Sequence, residues 1–352
     1  MKAIYYNEHG GREVLTYGDV DDPVAGPGEV IVDIRAAALN HIDLFLRRGL
    51  PGLKIPLPHI PGCDAAGVVS ALGEGVTGLS VGDRVLVNPS ISCGHCEFCD
   101  RGDASLCTTY TLIGETTQGT CCEKIAIPAR NAIPIAESMP FGEAASLPLV
   151  FLTAWRMLIS RGRMSPGEDV LILGASAGVG IAAIQIAKYA GARVMAAAST
   201  SEKLDLCHEL GADVLINYAE EDFVRRVHRE TGKRGADVVV DYIGRETWVK
   251  SLKCLVGGGR LLTCGATTGF DPQTDLRHVF YRQLEIIGST MGGLNDLLKP
   301  LRLIESGKMR TVIGATFDLE QTAEAHRLME ERRSLGKIVI NIPQKVDDAP
   351  KG

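Results

Sequence analysis

The chain has 352 residues, 45% of them hydrophobic and 23% charged, which is the composition of a folded protein large enough for two domains and excludes an intrinsically disordered chain. Its 37 Lys and Arg against 43 Asp and Glu give a net charge of -6, and this mild acidity offers no footprint for nucleic acid or an anionic membrane. No run approaches the ~18 apolar residues of a membrane span, and the first residues lack the apolar core of a signal peptide, so we expect a soluble cytoplasmic protein.

The first third of the chain is predicted to be rich in β-strands. Short apolar runs at residues 29–35, 67–71 and 84–87 are separated by clusters of Gly, Pro and Ser that are typical of turns. We therefore expect a β-rich domain over residues 1–127.

Four closely spaced cysteines interrupt this domain at Cys93, Cys96, Cys99 and Cys107. In a cytoplasmic chain, clustered cysteines indicate a metal rather than disulfides. Four thiolates complete a tetrahedral Zn²⁺ and leave no open position, which predicts one structural zinc per chain. An iron–sulfur cluster and a chance group of free thiols are the alternatives.

From residue 169 onward the pattern changes to alternating strands and helices. Repeated strand–helix–strand units predict a parallel sheet covered on both faces. We expect a doubly wound α/β domain over residues 128–292, a return to the first domain over residues 293–343, and a flexible tail over residues 344–352.

The first strand of this domain runs into the glycine-rich turn LILGASAGVG, which predicts a dinucleotide site. Small residues let the backbone approach a pyrophosphate, and the amides at the start of the next helix favour its charge. The strict G-x-G-x-x-G pattern is not met, because alanines replace its first two glycines. The predicted cofactor residues in the turn are Gly174, Ser176, Ala177, Gly178, Val179 and Gly180.

The end of the second strand distinguishes NADPH from NADH. An NADH site places a carboxylate there for the ribose 2′-hydroxyl, whereas this strand ends in alanine and continues with Ser199 and Thr200. Together with Lys203 and Tyr218, these residues suit a 2′-phosphate and predict NADPH, with NADH as the weaker alternative. The simpler interpretation is that Ser199 and Thr200 cap the next helix and that Lys203 is solvated.

Together these motifs resemble the medium-chain dehydrogenase/reductase superfamily over almost the whole chain. The resemblance rests on PGCDAAGVVSALGEGVTGLSVGDRV, the cysteine segment, LPLVFLTAW and the glycine-rich turn. It implies a Rossmann domain inserted in a GroES-like β-rich catalytic domain, and a homodimer or homotetramer. It also implies that Thr153 lies near the nicotinamide and that Gly265 and Ser289 belong to the cofactor site.

The chain departs from the zinc alcohol dehydrogenases of this superfamily at each ligand of their catalytic zinc. By alignment, Asn40 and Leu149 stand at two ligand positions, and Gly62-Cys63-Asp64 replaces a Gly-His-Glu segment. Leucine cannot bind zinc and asparagine is a poor ligand, so no standard catalytic zinc is expected. An alternative zinc site built from His41, Asp43 and His59 stays open.

The pattern Asn40-x-x-Asp43 instead resembles the quinone oxidoreductase and enoyl reductase branch. Without a catalytic zinc, hydride addition to an activated alkene or quinone is favoured over ketone reduction, because the charge delocalises onto an oxygen that donors stabilise. We expect an NADPH-dependent reductase of such small molecules, with an Asn40 amide that donates and an Asp43 that either orients Asn40 or relays a proton. The candidate catalytic residues are Asn40, Asp43, Cys63 and Thr153.

Three alternatives stay open. Asn40 and Asp43 could simply satisfy the backbone of a turn, and Cys63 could be an inert buried thiol. The protein could be a zinc-dependent alcohol dehydrogenase with a reassembled site, or a non-catalytic NADPH-binding protein.

Overall fold

A computed structural model describes residues 1–343, which fall into two compact units. The first consists of Met1–Leu149 and the segment that begins at Thr311, and the second is Val150–Arg310. The tail predicted over residues 344–352 lies outside the described residues. Within residues 1–343, no helix combines the length and the apolar character that crossing a bilayer requires.

The described residues form both the β-strands and the α-helices that the sequence predicts. The strands are β1 (Lys2–Tyr5), β2 (Thr16–Asp19), β3 (Glu29–Ala38), β4 (Asp64–Leu72), β5 (Arg84–Val87), β6 (Ser90–Ile91), β7 (Thr111–Leu112), β8 (Lys124–Pro128), β9 (Ala132–Pro134), β10 (Asp169–Leu173), β11 (Arg193–Ala198), β12 (Val214–Asn217), β13 (Ala236–Val240), β14 (Leu255–Thr263), β15 (Glu285–Gly288), β16 (Ile313–Asp318) and β17 (Lys337–Asn341). The α-helices are α1 (His41–Arg48), α2 (Glu97–Asp100), α3 (Phe141–Ala145), α4 (Pro148–Trp155), α5 (Gly178–Tyr189), α6 (Ser201–Glu209), α7 (Phe223–Glu230), α8 (Trp248–Cys254), α9 (Leu276–Phe280), α10 (Leu294–Glu305) and α11 (Thr322–Glu330).

The first unit is built on a sheet with the strand order β16-β17-β3-β4-β5-β9, in which β8 also pairs with β3. Its pairs are antiparallel except for β16 and β17. Most of the long strand β3 is buried, and Val30, Val32 and Ile34 on one of its faces are fully buried in the core. The β-rich character expected of the first part of the chain is thus confirmed.

The register of this sheet brings three distant parts of the chain together. Ala38, at the end of β3, pairs with Asp64 at the start of β4 and with Val339 in β17. Because side chains alternate along a strand, Lys337, two residues before Val339, lies on the same face as Val339. The ends of β3, β4 and β17 therefore meet where α1 begins.

The second unit is a six-stranded sheet in which all neighbouring strands are parallel. Its order is β12-β11-β10-β13-β14-β15, so the chain moves outward from β10 in one direction and then returns to continue from β13 in the other. Strand β10, with the sequence DVLIL, is buried over four of its five residues, as a central parallel strand must be. This is the predicted doubly wound α/β fold.

The boundaries between the two units lie later in the chain than the expected boundaries at residues 127 and 292. Strand β9 pairs with β5, so the residues after 127 continue the first sheet. Helix α10 belongs to the second unit, which extends to Arg310. These segments are short and carry no change of composition, and their membership is decided by tertiary pairing.

Candidate functional site

The glycine-rich turn connects β10 to α5 in the second unit. Gly174 has φ +65°, a left-handed conformation that favours glycine. A Cβ on Gly180 would lie 2.6 Å from the carbonyl oxygens of Gly174 and Ala175, so only glycine fits there. Helix α5 starts at Gly178, and the amides of Gly178 and Val179 have no acceptor within the helix and can bind an anion, whereas the Gly180 N–H faces the Tyr242 oxygen.

A tyrosine that the sequence analysis did not identify supports this turn. The Tyr242 hydroxyl donates a hydrogen bond of 2.7 Å to the carbonyl oxygen of Gly174. Burial raises the pKa of Tyr242, so the hydroxyl stays protonated and remains a donor. Its position, directly after β13 at the same edge of the sheet as the turn, was the available signal.

The residues predicted to distinguish NADPH from NADH lie beside the ends of β11 and β12. Thr200 caps α6, because its hydroxyl accepts a hydrogen bond of 3.4 Å from the Lys203 backbone N–H. Tyr218 is 41% exposed, and its N–H donates to Ala198 at the end of β11. The helix-capping interpretation of Thr200 is therefore correct. Because a hydroxyl that accepts can still donate, capping does not exclude a contact with the 2′-phosphate, and the cofactor roles of Ser199, Thr200, Lys203 and Tyr218 stay predictions.

The remaining predicted cofactor residues follow the ends of other strands in the same sheet. Gly265 comes after β14, and Ser289 comes after β15 with its N–H donating to Thr263. The Ser289 hydroxyl is buried and has no hydrogen-bond partner among the described residues. Ligands of doubly wound sheets bind outside the carboxyl ends of the strands, where both residues lie. Thr153, in α4 of the same unit, is buried and donates to the Met291 sulfur at 3.6 Å.

The four cysteines of the predicted zinc site come together around α2. One sulfur from each of Cys93, Cys96, Cys99 and Cys107 lies within 4.8 Å of the others. None of the four forms a disulfide. The Cys93 backbone N–H donates to the Cys107 sulfur, and this hydrogen bond lowers the pKa of the Cys107 thiol to about 6, which favours the thiolate. The set fits one tetrahedral zinc and leaves no position open for a substrate.

In the first unit, a buried polar cluster forms where β3, β4 and β17 meet; we call it the Asp64 cluster. The Lys337 ammonium lies 2.9 Å from Asp64 Oδ2 and 2.6 Å from Asn40 Oδ1. The Asn40 amide Nδ2 donates to the same Asp64 oxygen at 2.9 Å, and the Leu149 backbone N–H donates to Asp64 Oδ1 at 2.9 Å. The members of the cluster are Asn40, Asp43, Cys63, Asp64 and Lys337.

Asp43 and Cys63 form the second half of the Asp64 cluster. The Asn40 backbone N–H donates to Asp43 Oδ2 at 2.7 Å, which fixes the start of α1, and the Cys63 thiol donates to Asp43 Oδ1 at 3.5 Å. Burial raises the pKa of Asp43 to about 7. Burial also raises the pKa of the Cys63 thiol well above its usual value. Cys63 is therefore a neutral thiol at physiological pH.

The Asp64 cluster does not fit a catalytic zinc, although it includes Asn40 and Cys63 and contacts Leu149, the three positions that the sequence analysis aligned with zinc ligands. The Lys337 ammonium already occupies the oxygens of Asn40 and Asp64 that could bind a cation. Leu149 contributes only a backbone N–H. The alternative set of His41, Asp43 and His59 is not brought together either: within residues 1–343, the four cysteines alone gather three or more potential ligand atoms.

Sequence reasoning missed Lys337 as a functional candidate. It is the first residue of β17, with the sequence KIVIN, and the sequence analysis assigned it no role. A single lysine at the start of a strand of buried residues was the signal, because a charged residue in such a strand is buried only when it is paired.

Two family models match the two units. The alcohol dehydrogenase GroES-like domain matches residues 26–137, and the zinc-binding dehydrogenase domain matches residues 178–306. These matches confirm the expected fold.

Curated relatives match over nearly their whole length. Quinone oxidoreductase of Rattus norvegicus is 30% identical, with 97% of both chains covered. Acryloyl-coenzyme A reductase of Metallosphaera sedula is 32% identical, with 97% of this chain and 99% of the relative covered.

Solved structures of oxidoreductases share the fold. A structure of an NAD-dependent alcohol dehydrogenase is 45% identical with a TM-score of 0.94, covering 97% of this chain and all of that one. A structure of a variant of the crotonyl-CoA carboxylase/reductase AntE in complex with NADP is 25% identical with a TM-score of 0.90, covering 97% of this chain and 94% of that one.

Proposed function

The chain belongs to the medium-chain dehydrogenase/reductase superfamily and is an NAD(P)-dependent oxidoreductase, and from this premise we propose that it reduces quinones or activated alkenes with NADPH and without a catalytic zinc. The observation that carries the proposal is the buried ion pair of Lys337 and Asp64, because the ammonium uses the oxygens of Asn40 and Asp64 that a second metal ion would need. Reduction of an activated alkene is the chemistry that such a site can support, because the charge it creates moves onto a carbonyl oxygen.

The two curated relatives support this substrate class. One is named for a quinone and the other for acryloyl-CoA, an unsaturated thioester, and each aligns with 97% of this chain. Both kinds of molecule accept a hydride at a carbon that is conjugated to a carbonyl group.

NADPH, when bound, supplies the hydride. The turn at Gly174–Gly180 would hold its pyrophosphate through the first amides of α5, and no carboxylate ends β11 to receive a 2′-hydroxyl. We assign the 2′-phosphate to Ser199, Thr200, Lys203 and Tyr218. Gly265, Ser289 and Thr153 complete the cofactor site.

In the first unit we assign supporting roles to Asp43 and Cys63. Asp43 accepts the Asn40 backbone N–H and thereby sets the position of the Asn40 side chain. Cys63 donates to Asp43 as a neutral thiol and is not a nucleophile, because burial raises its pKa.

We also assign the four-cysteine site to one structural zinc, and we place the protein in the cytoplasm. None of the ten cysteines forms a disulfide, which suits a reducing compartment. A homodimer or homotetramer is the expected assembly, because β15 ends its sheet with an unpaired edge at which Ile286 is 41% exposed. Light scattering tests this expectation, and a monomer would refute it.

A second candidate function is alcohol dehydrogenation, which the 45% identity to an NAD-dependent alcohol dehydrogenase favours. The experiment that separates the two measures NADPH and NADH oxidation with 1,4-benzoquinone, 2-cyclohexen-1-one and crotonyl-CoA, and NAD⁺ or NADP⁺ reduction with primary and secondary alcohols. Oxidation of NADPH by a quinone or an enone supports the proposal. Alcohol oxidation alone supports the second candidate, and NADPH binding with no turnover supports a non-catalytic protein.

A further inference from the structure

The hydrogen bonds of Asn40 show that its amide is occupied by the fold. Its Nδ2 donates to Asp64 Oδ2 at 2.9 Å and to the Ala38 carbonyl oxygen at 3.4 Å, and its Oδ1 accepts from Lys337 at 2.6 Å. An amide nitrogen has two hydrogens, so both are used. Asn40 therefore has no remaining N–H for a substrate oxygen, contrary to the expectation from the sequence.

Lys337 retains the donor that Asn40 lacks. Its ammonium has three N–H groups, and two of them are directed to Asn40 Oδ1 and Asp64 Oδ2. Among residues 1–343, no acceptor is found for the third. The Lys337 side chain is only 5% exposed, so bulk water does not fully satisfy that N–H.

The charge of Lys337 is held in place by its surroundings. Asp64 is fully buried and accepts hydrogen bonds from Lys337, Asn40 and the Leu149 backbone. A carboxylate that is paired and hydrogen-bonded in this way keeps a buried ammonium without moving it. The result is a fixed cation with one unused donor.

We propose that Lys337 is the electrophilic donor of the reaction and that its third N–H binds the carbonyl oxygen of an enone, an enoyl thioester or a quinone. This inference rests on the proposed function and deepens it by assigning the group that stabilises the developing charge. For an enone, the β-carbon gains a hydride from NADPH, and the alkene electron pair shifts to make an enolate. Lys337 stabilises the enolate oxygen by a charge-assisted hydrogen bond, and the α-carbon then takes one proton from water, which balances the reduction.

The test separates a donor from a merely structural ion pair by removing both charges together. Lys337→Met alone leaves Asp64 buried and unpaired, so this variant should unfold at a lower temperature whether or not Lys337 is the donor. In the double variant Lys337→Met/Asp64→Asn the buried charge is gone, so stability should recover. If Lys337 is the donor, kcat for 2-cyclohexen-1-one stays at least about a hundredfold below wild type while the affinity for NADPH is unchanged.

A double variant that regains both thermal stability and turnover to within about threefold shows that Lys337 only neutralises Asp64. The control is Asn40→Ser, which keeps a side-chain oxygen at the start of α1 and removes the amide. A loss of kcat below about tenfold is expected, whereas a loss as large as that of the double variant would return the donor role to Asn40.

A spectroscopic measurement makes the result independent of turnover. Carbonyl-labelled 2-cyclohexen-1-one bound to the wild-type protein with NADP⁺ should show an infrared carbonyl band below its value in water, and the double variant should lose that shift. An unshifted band in an active wild-type protein overturns the role of Lys337 even if the double variant fails to fold. A wild-type protein that neither oxidises NADPH nor shifts the band overturns the proposed function together with this assignment.

Discussion

Lys337 Nζ and Asp64 Oδ2 form an ion pair of 2.9 Å in which both side chains are buried. The two residues are 273 positions apart in sequence and meet because β4 and β17 both pair with β3. Lys337 also contacts Asn40 Oδ1 at 2.6 Å, so the ammonium uses the side-chain oxygens of Asn40 and Asp64 that a cation at this place would need. The proposal of a reductase without a catalytic zinc rests on this contact.

The four-cysteine site should control zinc content and stability without taking part in hydride transfer. Cys96→Ser removes one of four ligands, so we expect zinc to fall from one per chain towards zero and the free energy of unfolding to fall by a few kcal/mol. Elemental analysis and thermal unfolding measure both effects. Cys207→Ala, a buried cysteine outside the site, is the control and should keep its zinc. Unchanged zinc in Cys96→Ser would refute the ligand assignment.

Lys203 should discriminate between the two nicotinamide cofactors. Lys203→Ala removes a positive charge from the proposed 2′-phosphate site, so we expect the Kd for NADPH to rise about tenfold or more and the Kd for NADH to change little. Fluorescence titration with each cofactor measures this. Lys250→Ala in the same unit is the matched control. Equal losses for both cofactors would remove Lys203 from the phosphate site.

Gly180 should tolerate no side chain. A Cβ there would meet the carbonyl oxygens of Gly174 and Ala175 at 2.6 Å, so Gly180→Ala must displace the turn that holds the pyrophosphate. We expect a loss of NADPH affinity of about a hundredfold and a destabilisation of about 1–3 kcal/mol. Gly257→Ala, where the nearest atom would be 3.8 Å away, should bind NADPH normally. Normal binding by Gly180→Ala would contradict the assignment of the turn.

Asp43 should make the stability of the protein fall as pH rises from about 4 to about 7. Burial raises its pKa in the folded protein from 3.8 to about 7, so the folded state binds the extra proton between those values. The contribution of Asp43 to the free energy of unfolding is therefore largest below about pH 4. It decreases by a few kcal/mol as pH rises to about 7. Asp43→Asn should flatten that decrease in urea unfolding followed from about pH 4 to about pH 8.

The control for the pH measurement is Asp271, where the sign is reversed. The Arg245 guanidinium lowers the pKa of this exposed carboxylate, so any contribution is lost as pH falls, and Asp271→Asn should leave the decrease between about pH 4 and about pH 7 in place. A pH profile that Asp43→Asn does not change would show that Asp43 is already ionised in the folded protein.

Local signals in the sequence predicted most of the fold. These signals depend on residues that are close together in the sequence. They are the turn at Gly174–Gly180, the four cysteines and the alternation of strands and helices. The Asp64 cluster could not be predicted in this way, because Asn40, Asp64 and Lys337 meet only through the register of a sheet. The ends of the two units were missed for the same reason, since tertiary pairing decides them.

The most direct test of the account combines zinc per chain, measured on protein washed with a chelator, with NADPH oxidation by 2-cyclohexen-1-one or 1,4-benzoquinone. We predict one tightly bound zinc per chain, held by the four cysteines, and a turnover rate that needs no further metal. Two tightly bound zinc ions per chain, with the second required for activity, would contradict it and show that a metal displaces Lys337 from the Asp64 cluster.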